Sequence, residues 1–157
     1  MAERDTKSGD NSKSALVAEL NGLLADHFAL YIKTKNFHWH VTGPRFRDLH
    51  LLFDEQAIEV RDQIDDIGER VRKNGRMTLT SVASVAQHTQ IADQDDTSLK
   101  PDAMVKELRD DNAALVKRLK GLKDLAEKAG DNATDGMLDE WTDMAEQRVW
   151  FLDSTLK

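Results

Sequence analysis

The sequence predicts an all-α fold: four long helices in a bundle, with one long crossover between the second and the third. Three observations predict it. Apolar residues recur at spacings of three and four through four separate segments, the signature of helices with one buried face. No segment alternates in the manner of a strand, and there is no internal repeat. Residues 76–100, between the second and third periodic segments, are too many for a plain interhelical loop.

Residues 1–11 carry Ser, Asp, Asn and Gly without an apolar period and read as a flexible tail, leaving 12–157 as the bundle domain. A first helix from about Ser12 to His40 has the stripe Leu16, Leu20, Leu23, His27, Leu30, Thr34 and Phe37, and Thr42-Gly43-Pro44 ends it. The second, about Phe46 to Lys73, has Leu49, Phe53, Ala57, Val60, Ile64, Ile67 and Val71, and stops at Asn74-Gly75. Ser81 to Ala86 suit a short helix inside a crossover that runs the length of the bundle. Pro101 fits the first turn of a third long helix, about 101–129, striped by Val105, Leu108, Asn112, Leu115, Leu119, Leu122 and Ala126, with Gly130 as its stop. A fourth, about 132–156, shows Leu138, Trp141, Ala145, Val149, Leu152 and Leu156. Such an arrangement is a ferritin-like four-helix bundle.

The 157 residues favour one domain and suffice for a proper core. Charged residues make up 32% and apolar ones 39%, a globular balance. There is no cysteine, which excludes disulfides, thiolate zinc sites and cysteine catalysis and fits a reducing compartment. The first fourteen residues lack the apolar stretch of a secretory signal. No segment approaches the roughly 18 to 20 apolar residues of a membrane span. A cytoplasmic protein with no membrane partner is expected. The formal charge of −7 draws cations and disfavours nucleic acid as a whole-body partner.

Five residues carry the chemistry: His38, His50, Asp54, Asp65 and Glu69. His50 with Asp54, and Asp65 with Glu69, are i, i+4 pairs on the second helix, symmetric about a point between Glu59 and Val60. Asp54 and Asp65 share a face, about 20° apart around the axis, yet lie about 16 Å apart along it. Metal–ligand distances are about 2 Å, so one chain cannot bring both to one ion. A twofold axis at the symmetric point would set His50 opposite Glu69 of a second copy, and Asp54 opposite its Asp65, building two equivalent sites. His38, at the end of the first helix, can approach His50 in an antiparallel pair. A di-metal centre inside one bundle needs Glu-x-x-His, and the residues three before each histidine are Leu24, Lys35, Phe37, Arg47 and Val85. Two imidazoles with carboxylates suit Fe(II), zinc, manganese or cobalt, and without thiolates soft metals are disfavoured. Taken singly, each pair is ordinarily a solvated hydrogen-bonded face; their joint symmetry and His38 point to the metal. His27 lies on the core stripe and reads as a satisfied core histidine.

Phe37-His38-Trp39-His40-Val41-Thr42-Gly43, followed after five residues by Leu49-His50-Leu51-Leu52-Phe53-Asp54, closely resembles the motif of the Dps (DNA-protection-during-starvation) miniferritins. Ile64-Asp65-Asp66-Ile67-Gly68-Glu69-Arg70 matches the second family motif, and the helix pattern agrees over about 12–156. The resemblance implies a hollow homododecamer whose ferroxidase sites lie at dimer interfaces, the His38, His50 and Asp54 positions coming from one subunit and Asp65 and Glu69 from its twofold mate. It implies that Fe(II) is oxidised, preferentially by hydrogen peroxide, that ferric oxyhydroxide is stored in the cavity, and that the cell and its DNA are thereby protected. Trp39 matches a site-proximal tryptophan that intercepts stray oxidising equivalents; packing at the dimer contact is the alternative. Asp131, Asp135, Asp139 and Glu140 cluster where the family lines threefold pores, although acids also suit a helix N-terminus. Family members differ in DNA binding, often through basic tails. Here Arg4, Lys7 and Lys13 meet Glu3, Asp5 and Asp10, so DNA binding is not favoured, and a nucleoid DNA-binding protein with a secondary metal site is the competing reading.

Overall fold

The computed structural model describes residues 2–157, with side chains from Gly9 onward; the tail charges Glu3, Arg4, Asp5 and Lys7 lie outside the described side chains. The helices are α1 Ala2–His40, α2 Phe46–Lys73, α3 Val82–His88, α4 Pro101–Ala129 and α5 Asn132–Thr155, and there is no strand among the described residues.

The interhelical contacts set the directions. His27 meets Gln63 and Lys35 meets Asp54, so α1 and α2 are antiparallel. Lys33 pairs with Glu107 and Asp111, and Arg118 with Glu19 and Asp26, so α4 is antiparallel to α1 as well. α2 and α4 are therefore parallel, and the chain must travel back along the bundle between them, about 40 Å at 1.5 Å per residue. It does so beside α1. Asn21 donates to the Met77 carbonyl, Asp26 accepts from the Gln90 N–H, and Asn36 donates to the Gln94 carbonyl, three ties that advance together along both segments. Gly22 leaves a slot on α1 that the Arg118 guanidinium fills; a Cβ there would lie 1.9 Å from Nη2.

The core follows the stripes. Leu16, Leu20, Leu23, Leu30 and Phe37 of α1 pack with Leu49, Phe53, Val60 and Ile67 of α2, Leu108, Leu115 and Leu119 of α4, and Leu138, Trp141 and Leu152 of α5. Each fully buried leucine is worth about 1.5–3 kcal/mol relative to exposure, so the helices are held chiefly by this face. The turn between α1 and α2 is tight because Gly43 has φ 105°, open to glycine at no steric cost. α3 is capped by a reciprocal Ser81–Ser84 pair and buries no side chain.

Three expectations are corrected. Residues 2–11 are helical, not a coil: α1 starts at Ala2, although its core stripe begins only at Leu16. Asp10 pairs with Arg76, just beyond the end of α2, a contact that no period could reveal. Part of Gly9–His40 is long and apolar enough to cross a membrane by length and composition, but 56% of that window is buried, because its apolar residues are the core stripe. On α5 the buried position is Arg148 rather than Val149, which is only partly covered.

Candidate metal centre

His38, the third residue from the end of α1, and His50, on the second turn of α2, face each other across the antiparallel pair. Their rings stack with centroids 3.8 Å apart and planes 15° from parallel. His38 Nδ1 lies 2.6 Å from the His50 carbonyl, and His50 Nδ1 lies 2.7 Å from the His38 carbonyl. A carbonyl only accepts, so both Nδ1 atoms carry protons, and the neutral form of each imidazole has its lone pair on Nε2. Reciprocal bonds of this kind orient metal-binding imidazoles and fix their tautomer. Phe46 stacks on the outer face of His50 at 4.9 Å, completing a pile of three rings. Asp54 Oδ1 stands 3.9 Å from His38 Nε2. The Lys35 ammonium, 2.7 Å from the same oxygen, holds the Asp54 carboxyl below the ordinary carboxylate range.

Asp65 and Glu69 lie toward the other end of α2. Both are exposed; among the described residues Glu69 pairs only with Lys73, at 3.8 Å on the same helix. With Leu24, Phe28, Gly68, Thr78 and Leu79 they border an open cleft of about 290 Å³. The structure thus brings His38, His50 and Asp54 together and leaves Asp65 and Glu69 apart from them. No three His, Asp or Glu side chains converge on one point among the described residues.

The bundle interior is occupied by a different polar set. Arg148, 1% exposed, donates through Nε to Asn112 at 2.8 Å and through Nη1 to Glu59 at 3.3 Å. His27 is fully buried; its Nδ1 donates to the Leu23 carbonyl and its Nε2 meets the Gln63 carboxamide at 2.8 Å. Burial pushes its pKa from 6.5 down to about 4. With both nitrogens engaged and a guanidinium nearby, this interior offers a cation nothing.

Trp39 is 64% exposed, with the Lys35 ammonium 5.8 Å from its ring centroid. The pore candidates separate. Asp131 turns into the bundle as the N-cap of α5 and accepts from Arg70, Asn74 and Thr134; burial raises its pKa, but these hydrogen bonds outweigh it and hold the carboxyl far below the carboxylate range. Asp135 and Asp139 both clasp Lys123, at 3.0 and 2.6 Å, and Glu140 is exposed beside them. Sequence reasoning missed Lys35 and Phe46. Lys35 was within reach, because the register that pairs His38 with His50 carries it to Asp54.

A profile of the ferritin-like domain matches residues 17–157. The DNA protection during starvation protein of Brevibacillus brevis is 35% identical over 138 residues, covering 88% of this chain and 92% of its own. The crystal structure of a Dps protein from Bacillus brevis superposes with a TM-score of 0.90 at 33% identity, over 94% of this chain and 98% of that one. A Dps protein from Vibrio cholerae, described as a member of a broad superfamily of ferritin-like diiron-carboxylate proteins, gives 0.88 at 26% identity, over 94% and 92%. With its bundle, its crossover and these likenesses, the chain belongs to the ferritin-like proteins, and within them to the Dps family.

Proposed function

We propose that this chain is the subunit of a ferroxidase and iron store, and that two copies meet head-to-tail to complete each site. His38, His50 and Asp54 of one copy and Asp65 and Glu69 of the other ligate ferrous iron, and twelve copies enclose a cavity for ferric oxyhydroxide. The observation that carries this reading is the reciprocal bonding of His38 and His50, which leaves two Nε2 atoms beside Asp54 with no further ligand among the described residues. Iron needs carboxylates as well, and the exposed Asp65 and Glu69 of α2 are free to supply them to a second copy. The exposed Leu51 and Ile58 on the same helix give such a contact apolar area.

Hydrogen peroxide is the oxidant of this reading. Its O–O bond breaks as it takes one electron from each of two ferrous ions, and the ferric ions hydrolyse to oxyhydroxide with release of protons. The protein supplies ligation and placement. Both imidazoles must be neutral to bind, so uptake weakens in acid. The work is done in the cytoplasm, where removing ferrous iron and peroxide together spares the cell and its DNA.

The test is anaerobic: apoprotein, ferrous salt and peroxide, with ferric absorbance followed against buffer. A rate no faster than buffer removes the proposal. The names of relatives, DNA protection during starvation proteins, favour a second reading, direct binding of DNA. The −7 charge opposes it. Gel shifts at several salt concentrations decide: retention that falls steeply with salt and is lost on deleting residues 1–12 would establish it.

A further inference from the structure

Met77, four residues beyond α2, is 76% exposed on a backbone that is held in place. Its carbonyl accepts from Asn21 of α1 at 3.0 Å. Its neighbour Arg76 donates its backbone N–H to the Val71 carbonyl and pairs with Asp10. The other methionines with described side chains are sheltered: Met104 is buried, Met137 packs against the core, and Met144 accepts from Gln63. An exposed apolar residue is ordinary by itself. What sets Met77 apart is its partner. Arg72 lies in the wall of the cleft that Asp65 and Glu69 border. Its Nη1 donates to the Arg76 carbonyl at 2.7 Å and reaches the Met77 sulfur at 3.1 Å. A thioether is a weak acceptor, so this contact adds little to the stability of the fold.

Oxidation of the sulfur would make it a strong one. In the reaction with hydrogen peroxide, a sulfur lone pair forms an S–O bond to one peroxide oxygen as the O–O bond breaks. The other oxygen leaves with both protons as water. The sulfur gives up two electrons, the peroxide accepts them, and the side chain becomes a sulfoxide. A thioether has two lone pairs, and the guanidinium covers the one it faces. Oxygen therefore adds to the other, which sets one configuration at sulfur. The sulfoxide oxygen is polar where the thioether was apolar, and a small swing of Arg72 gives it a charge-assisted hydrogen bond.

We propose that Met77 is a modification site for peroxide, oxidised to a single sulfoxide epimer under the direction of Arg72. Arg72 is a positioning residue: it selects the face of the sulfur and takes no part in the electron transfer. Peroxide that finds no ferrous iron is then spent on one surface sulfur, in a form that reductases reverse. The proposal goes beyond the ferroxidase reading and does not depend on it.

The assembled protein, stripped of metal and kept in chelator, is treated with hydrogen peroxide, digested, and its methionine peptides weighed. The Met77 peptide should gain one oxygen roughly tenfold faster, or more, than those of Met104, Met137 and Met144. Two reductases, each specific for one sulfoxide epimer, are then applied separately to the digest. One should remove most of the added oxygen and the other little. Arg72→Leu, a change at an exposed position that spares the fold, should leave Met77 reactive but yield both epimers in similar amounts. Oxidation at Met77 no faster than at the other three overturns the proposal. So does an even mixture of epimers in the wild type, or a preference that persists in Arg72→Leu, because exposure alone would then account for the reaction. None of these outcomes measures iron oxidation, so the ferroxidase reading is tested separately.

Discussion

The two ends of α2 are built differently. At one, His50 is stacked between His38 and Phe46, its Nδ1 proton is spent on a carbonyl, and Asp54 is held by an ammonium. At the other, Asp65 and Glu69 stand exposed beside an open cleft, and Glu69 is paired with Lys73 on the same helix. Imidazoles need one tautomer and one orientation to ligate, and a single chain can fix both. Carboxylates present two equivalent oxygens and tolerate freedom until the ion arrives. Under the function proposed above, the difference means that half of the site is preorganised within the subunit and half is delivered by assembly.

The hardest way to break that comparison is complementation. His50→Ala and Glu69→Ala assemblies should each oxidise ferrous iron more slowly by at least a factor on the order of 100, beyond what losing an outer partner of a ligand costs. Unfolding the two variants together and reassembling them should restore activity, because a mixed pair has one site with both defects and one site with neither. Activity no higher than that of either variant alone would show that the halves do not come from different chains.

His27 sharpens the comparison by contrast. It is more deeply buried than His38, and both its nitrogens are used, so His27→Gln should leave iron oxidation unchanged. Its effect is on stability. Between pH 6.5 and about 4 the unfolded chain binds a proton at His27 that the folded chain refuses. Stability from this group is therefore complete above 6.5 and falls as the pH drops toward 4, by about 3 kcal/mol in all. Denaturant midpoints of wild type and His27→Gln across that window should converge in acid; parallel curves would show that His27 does not resist protonation.

The stack itself can be loosened. Phe46→Ala removes the outer ring from His50 and should weaken zinc binding about tenfold while sparing the fold, the usual range for an outer support of a ligand. The smallest effect is expected at the loose end. Lys73→Ala removes the exposed partner of Glu69 and should change stability by less than about 1 kcal/mol and zinc affinity hardly at all. A larger loss there would mean that the acids are also prearranged.

Much of this was legible in the sequence, for identifiable reasons. The second and third long helices are bounded by proline, glycine and asparagine, and their limits, Phe46–Lys73 and Pro101–Ala129, follow from those residues. The spacing of His50, Asp54, Asp65 and Glu69 already implied that one chain could not close the site. What the sequence hid was set by tertiary contacts. Residues 2–11 have no apolar period, so nothing local announced the first turns of α1. Asp131 reads as one of a row of acids, and only the approach of Arg70 and Asn74 from α2 turns it inward. Arg148 reads as surface charge until Glu59 and Asn112 are seen to receive it.

That buried guanidinium has an evolutionary consequence. To gain a metal centre within one bundle, a descendant would have to lose Arg148, and losing it alone leaves the buried Asn112 carbonyl without its donor, at a cost of about 1–3 kcal/mol. Replacing Glu59 first strands the arginine instead. Each single step is a loss, so that route is costly to open one substitution at a time.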